Sequence, residues 1–445
     1  MAYAQDLNRS LSLKENVLIT LSSVTPASSV FIIVPAIVAG IGGASAIALV
    51  LGAIVGVFMA FCYAELSSAF PVTGGEYAFA ARILGKPTGF ALFALSMVGN
   101  VFIVAVIALG TGDYLGVVWT ALSGKTVGLI VLVAATLIAV FNIRANAWLT
   151  GVFLLLELAA LVVLSALGFL HVSRPVSVLW TPGQDVSWGL IASFTATALF
   201  AYNGYGTAVY FSEETRNAGR LIGKAILVSL AVTVVAELVP TVAVLLSAPD
   251  LAAKAPMSDV LGTHGGAVVN TVVSLGIALA IVNAVIAILI QSGRLLFSSA
   301  RDGSWPDVIG RPLASVHRKL LTPVVATLVM GGLATLVAAF VSLDVLIIAT
   351  GANVVALYTL VALSALVGRA RGLTDRGEYR MPWWPLAPVV VIVMMVYVAY
   401  QTLVADWVPM AATLGILAAG YVYYAVYLYP RRAERFTLPD PVPED

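Results

Sequence analysis

The chain has 445 residues, 61% of them apolar and only 10% charged, and its mean hydropathy is +1.02. A water-soluble protein carries about 25% charged residues, so a soluble enzyme, a nucleic-acid binder and a disordered scaffold are all excluded. With 23 basic and 22 acidic residues the net charge of +1 predicts no polyanionic partner, and no nucleic acid among the partners.

In chain order, residues 1–15 are polar and form a cytoplasmic N-terminal segment with no cleavable signal peptide, because the apolar run that follows is too long for one. Crossing a bilayer takes about 20 apolar residues per helix. Twelve segments meet that need: 16–40, 44–66, 87–112, 125–143, 147–170, 187–211, 221–247, 267–298, 323–342, 344–368, 384–404 and 408–428. They are too continuous for alternating barrel strands, so the expected class is an all-α polytopic membrane protein with twelve transmembrane helices. The remainder, 429–445, is polar and Pro-rich and reads as a disordered cytoplasmic tail. Placing the N-terminus in the cytoplasm puts 20 of the 23 Lys and Arg residues inside and leaves Lys125, Arg174 and Lys254 outside. That asymmetry predicts a multi-pass cell-membrane protein with both termini cytoplasmic.

Segments 1 and 6 carry interruptions. In segment 1, Ser22-Ser23-Val24-Thr25-Pro26-Ala27-Ser28-Ser29 places five hydroxyls and a proline near mid-membrane. A Pro kink healed by hydroxyls would explain it alone. In segment 6, Ala201-Tyr202-Asn203-Gly204-Tyr205-Gly206 gathers poor helix formers, and close packing through small residues would explain that alone. Together they are corresponding members of two five-helix halves, and paired interruptions point to a transporter's midplane site. An odd number of helices per half inverts the second half, 187–368, against the first, 16–170.

The outer half of segment 1, restarting near Ser28, offers free N–H groups to an anion. Carbonyls near Phe200 and Ala201 are expected to lose their partners and accept from an ammonium. A carboxylate on the N–H groups of Ala27, Ser28 and Ser29, with an amine near Phe200, Ala201 and Asn203, describes a zwitterion site that includes Thr25 and Gly204.

Ionisable residues at membrane depth need a reason. Glu157 lies near the centre of segment 5, as either a structural, protonated group or a proton-coupling one. Glu237 in segment 7 reads as structural or near an outer vestibule. Glu65, Glu76, Glu213 and Glu214 stand near Arg and Lys at cytoplasmic helix ends and read as ion pairs. Asn283 and Gln291 share a face of segment 8, and Asn353 reads as a packing residue. Cys62 reads as a small core side chain, and His171, His264 and His317 fall in expected loops. No metal site and no cofactor are expected. Segment 8 has no hydroxyl between Ala284 and Ile290 to ligate sodium, which favours the proton as coupling ion.

Three stretches resemble the amino acid–polyamine–organocation superfamily: YAELSSAFPVTGGEYAFA at 63–80, ALFAYNGYGTAVYFSEETRN at 198–217 and SGRLLFSSARDGSWP at 292–306. The resemblance implies the leucine-transporter fold, a 5+5 inverted repeat with broken helices 1 and 6 and two trailing helices at 384–428. It also implies that Phe200, Tyr202 and Tyr205 serve the side-chain pocket and lid. Two features depart from the family pattern. Thr25-Pro26-Ala27-Ser28-Ser29 replaces a Gly-rich break, and a Thr-Pro at this place also occurs in some putrescine-importer-like members. Gly206 and Thr207 stand where a Glu often follows the second break. Many members carry a Lys on helix 5; the alignment puts Phe153 there, with Glu157 the nearest titratable group.

The expected function is therefore secondary active transport of an amino acid, neutral and proton-coupled, by alternating access. An amine or putrescine-like carrier on the same fold is the alternative. Paired catalytic residues, a selectivity-filter loop and an ATP-binding loop are all missing from the sequence, against an intramembrane enzyme, a channel and an ATP-driven pump.

Overall fold

The computed structural model describes residues 9–118, 121, 124–141, 143–181, 186–253 and 255–438, so Lys254 and residues 1–8 lie outside the described residues. Each of the twelve apolar segments is helical within that range. The first is split into α1a (Leu13–Val24) and α1b (26–41). Then follow α2 (Ser45–Ala69), α3 (Lys86–Val118), α4 (Lys125–Ala139) and α5 (Ile143–Leu170). The sixth is split into α6a (Trp188–Tyr202) and α6b (Tyr205–Glu214), the latter with 3-10 geometry. The chain continues with α7 (Ala218–Ser247), α8 (Gly266–Arg301), α9 (Val324–Phe340), α10 (Leu343–Ala370), α11 (Leu386–Ala405) and α12 (Trp407–Tyr423). Among the described residues the one β feature is an isolated bridge between Leu11 and Thr215.

Among the described residues, eight helical stretches are long and apolar enough to cross a bilayer; the first, Leu13–Ala69, holds both α1 and α2, while α4 and α9 are apolar but shorter. Large apolar side chains stand exposed on the outer surface, among them Leu155 at 69%, Val162 at 66% and Phe340 at 83%. Such a surface is stable against hydrocarbon and not against water. Inside, α8 packs on α3 and α9, α7 on α2 and α5, and α1a lies against α5, α7 and α8. The two broken helices thus run through the middle of the bundle, and Cys62 is fully buried, as a core side chain should be.

Loops hold more structure than their polarity announced. A short helix, Glu76–Ile83, stands between α2 and α3, and another, Asp307–Leu313, follows α8. Pro256 occupies the first turn of a helical turn that runs into Leu261–Gly265. His264 therefore lies in helical backbone rather than a loop, its ring stacked on His171 at 4.3 Å. The tail also departs from expectation. Up to residue 438 it packs back on the bundle: Arg435 Nη2 lies 2.5 Å from Asp307 Oδ1, and Phe436, 1% exposed, meets Tyr77, Phe90 and Tyr424. Average composition suggests disorder, but one buried aromatic beside one ion pair is enough to hold a short segment. The rest of the tail, 439–445, lies outside the described residues.

Candidate functional site: a polar cavity at two helix breaks

Thr25 leaves α1a in left-handed backbone, φ 50° and ψ 71°. Pro26 follows as the first residue of α1b, a position that needs no N–H donor. The outer half accordingly restarts at Pro26, two residues before the expected Ser28. In segment 6, Asn203 is extended and Gly204 takes φ +124°. A Cβ at Gly204 would stand 2.8 Å from the Cα of Val24, so the two breaks touch backbone to backbone. Ser29 seals the contact, its hydroxyl donating to the Ala201 carbonyl at 2.8 Å.

A cavity of about 50 Å³ opens beside the crossing. Of the expected site residues, Thr25, Ser29, Phe200, Asn203 and Gly204 line it. Ala27, Ser28, Ala201, Tyr202 and Tyr205 do not. The Ala27 N–H turns away and donates to Glu157 Oε1 at 2.7 Å, an oxygen that also accepts from the Thr25 hydroxyl at 3.1 Å. Ser28 bonds Thr25 side chain to side chain at 2.7 Å. The carbonyls expected to be free are occupied: Phe200 accepts from the Asn203 N–H at 3.0 Å, and Ala201 from Ser29. A tight turn and a neighbouring serine satisfy them, as buried backbone groups usually are. Tyr205 packs edge-on against Tyr63 and tilted on Tyr358, and Tyr358 in turn donates to Asn203 Oδ1 at 3.4 Å.

Other residues furnish the cavity's polarity. Glu76 Oε2, Ser96 Oγ, Asn100 Nδ2, Thr207 Oγ1 and Gln291 Oε1 all belong to lining residues and make no close hydrogen bond within the protein. Glu76 is buried, takes the Tyr63 hydroxyl on Oε1 at 2.9 Å, and has no basic side chain within ion-pair distance among the described residues. The ion pair expected for it is absent because its short helix turns the carboxyl inward, onto the cavity. Lying between two membrane spans, Glu76 is pushed above the ordinary carboxylate range by burial, against the opposing hydrogen bonds of Tyr210, its own backbone N–H and Tyr63. The Tyr210 hydroxyl faces Glu76, Ser96 and Asn100 together and can donate to only one of them.

Ser96 and Asn100 stand four residues apart on α3, one helical turn. That polar pair in an apolar helix was the available signal, and the sequence reading passed it over. Asn353, read as a packing residue, does pack, donating to the Leu95 carbonyl at 3.2 Å, and also lines the cavity.

The remaining acidic residues divide cleanly. Glu214 meets Arg294 in a two-pronged pair of 2.5 and 2.8 Å, Glu213 meets Arg301 at 2.7 and 2.8 Å, and Glu65 meets Arg369 at 3.0 Å, all as expected. These pairs tie α6b to α8 and α2 to α10. Glu237 is fully buried beside Ser29, Tyr202 and Glu157 rather than near an outer vestibule, because the face of α7 that carries it packs inward against α1.

A model of the amino acid permease family matches residues 11–429. The chain is 24% identical to the methylthioribose transporter of Bacillus subtilis (strain 168), over 95% of its own length and 94% of that protein's. It is 30% identical to an uncharacterized transporter of Mycobacterium tuberculosis (strain ATCC 25618 / H37Rv), over 94% and 91%. The branched-chain amino acid permease of Bacillus subtilis is 25% identical, over 87% and 85%. A bundle of apolar helices, two central breaks, a polar cavity between them and a match along nearly the whole chain place this protein in the amino acid permease family of the amino acid–polyamine–organocation superfamily, as a multi-pass membrane transporter and not an enzyme.

Proposed function

We propose that this protein carries small-to-medium neutral amino acids across the cell membrane by alternating access, in symport with protons, and with both termini cytoplasmic. In this reading α1–α5 and α6–α10 are inverted repeats and α11 and α12 trail them. The observation that carries it is the cavity at the crossing of the two breaks, walled by Ile33, Ile103, Ile107 and Ile288 on one hand and by unpartnered polar atoms on the other. An apolar side chain suits the first wall, and a zwitterionic backbone suits the second. Thr25 and Ser29 receive the carboxylate, Asn203 and the polar wall the ammonium. The cavity holds only a few waters, so a cargo enters as the surrounding helices separate, in keeping with alternating access. The branched-chain relative fits neutral cargo.

Glu157 supplies the coupling. Its carboxylate grips the first turn of α1b through the Ala27 N–H and the Thr25 hydroxyl. Adding a proton weakens that grip at the hinge where α1 must flex. The test is uptake by reconstituted proteoliposomes. Alanine should compete far better than putrescine, and Glu157→Gln should bind alanine yet lose the pH dependence of uptake. Putrescine winning would promote an amine carrier, the reading that Glu76 on the cavity wall favours. Unchanged pH dependence in Glu157→Gln would return Glu157 to a structural role.

A further inference from the structure

Among the described residues that line the cavity, Glu76 is the one carboxyl, and none is a Lys, Arg or His. Around it stand Tyr63 from α2, Tyr210 from α6b and Tyr358 from α10, with the uncharged Ser96 and Asn100 on α3 and Gln291 on α8. Acidic and basic side chains nearby are committed elsewhere: Glu65 to Arg369, Glu213 to Arg301 and Glu214 to Arg294. A carboxylate buried without a counter-charge is costly, whereas the same group facing an ammonium or guanidinium makes a short, charge-assisted hydrogen bond.

Resting on the reading of this chain as an amino acid carrier, we infer that Glu76, with Ser96 and Gln291, forms a cation subsite in the cavity that receives a positively charged nitrogen of the cargo. The helix 6 carbonyls assigned to that nitrogen from sequence are already bonded to Asn203 and Ser29, which leaves Glu76 as the anionic partner on the wall. Glu76 Oε2, Ser96 Oγ and Gln291 Oε1 supply the three acceptors an ammonium needs for its N–H bonds, while the open atom of Asn100 is its donor Nδ2. The nitrogen arrives already charged and Glu76 meets it as a carboxylate, so any proton that the buried carboxyl holds in the empty cavity leaves to water as the ion pair forms. Burial pushes the carboxyl of the empty cavity above the ordinary range, and a cation beside it acts in the opposite direction.

The same chemistry could come from the α-ammonium of any amino acid or from a side-chain amine. Alanine, lysine and putrescine separate the sources. Their binding is measured on the purified wild-type protein and on Glu76→Gln by titration calorimetry, in two buffers of different ionisation enthalpy so that released protons are counted. Wild-type affinity for a cation that reaches the subsite should fall as the pH is lowered into the range where the Glu76 carboxyl takes up its proton, with proton release on binding rising in step. Glu76→Gln should weaken binding by about 10–100-fold and release none, and Glu76→Asp should recover part of the affinity. If all three ligands weaken together, the subsite reads whichever nitrogen reaches it. If alanine is untouched while lysine and putrescine weaken, it reads the side chain. Either pattern supports the inference.

Binding of all three by Glu76→Gln as tightly as by wild type overturns the subsite alone. Wild type that binds none of the three overturns the amino acid reading and the subsite with it. Proton linkage is read on wild type from about pH 4.5 to 8, so a poorly folded variant does not shield the proposal: an affinity that stays flat with no proton release anywhere in that window overturns it.

Discussion

Gly204 carries a backbone demand that few residues can meet. Its φ of +124° is costly for any side chain, and a Cβ would press on Val24 Cα at 2.8 Å and Val24 Cγ2 at 2.9 Å. Gly204→Ala should therefore lose about 1–3 kcal/mol to backbone strain, with a further loss as α1 and α6 are pushed apart. Gly276 on α8 makes a control, since nothing lies within 4 Å of its added Cβ and an alanine there is the better helix former. Thermal unfolding in detergent should show a lowered midpoint for Gly204→Ala and an unchanged or raised one for Gly276→Ala. Equal midpoints for Gly204→Ala and wild type would mean that the crossing is not the tight point described. The glycine was visible in the sequence as a helix breaker. What it avoids, the backbone of Val24 some 180 residues earlier, was not.

At the scale of elements, α6b is held by pairs rather than by its own backbone. Its 3-10 geometry gives poorer hydrogen bonds than an α-helix, and Arg294 of α8 fixes its end through both oxygens of Glu214 while also donating to the Ile290 carbonyl at 3.0 Å. The guanidinium lies 5.4 Å from the Phe211 ring centre, and both paired side chains are nearly inaccessible. Removing one partner strands a buried charge, so Arg294→Met should cost about 3–5 kcal/mol. The double variant Arg294→Met/Glu214→Met should recover much of that loss. Arg294→Lys cannot reproduce the two-pronged geometry and should fall between. Double-mutant analysis of unfolding midpoints checks this, and strict additivity would show that the pair is not coupled. Glu213 and Glu214 were legible as ion pairs because acidic and basic residues cluster at the ends of segments 6 and 8. Glu76 looked the same in sequence, and only the turn of its short helix sends it to the cavity instead.

Over the whole molecule, the segment after α12 closes one end of the bundle. Phe436 fills a ring of aromatics, and Arg435 bonds Asp307 and the Trp305 carbonyl at 3.1 Å. Deleting residues 433–445 should lower the unfolding midpoint and make the loop after α8 more open to protease. Arg435 donates to Asp307 and holds its carboxyl below the usual carboxylate range. A lowered folded value means that this contribution is fully present above the ordinary aspartate pKa of about 3.9 and fades as the pH falls through the folded value. The destabilisation of Arg435→Ala relative to wild type should therefore be constant from pH 5 to 8. A difference that disappears within that window would contradict the pairing with Asp307.

Length, apolarity and the positions of Pro26 and Gly204 sufficed to read a helical membrane protein with paired breaks. Those features act locally: a 20-residue apolar run must be helical in hydrocarbon because its backbone has no other partner, and proline and glycine break helices wherever they stand. The polar-tail reading failed for a related reason, since composition averages over residues while Phe436 acts alone. What surrounds the breaks was decided by tertiary structure. Whether the Ala27 N–H meets a ligand or Glu157 depends on how α5 rotates against α1b. Whether Glu76 pairs with an arginine or lines a cavity depends on a loop helix between α2 and α3. Hydrogen-bond partners lie 130 residues apart in one case and 172 in another, and no local pattern records distances of that kind.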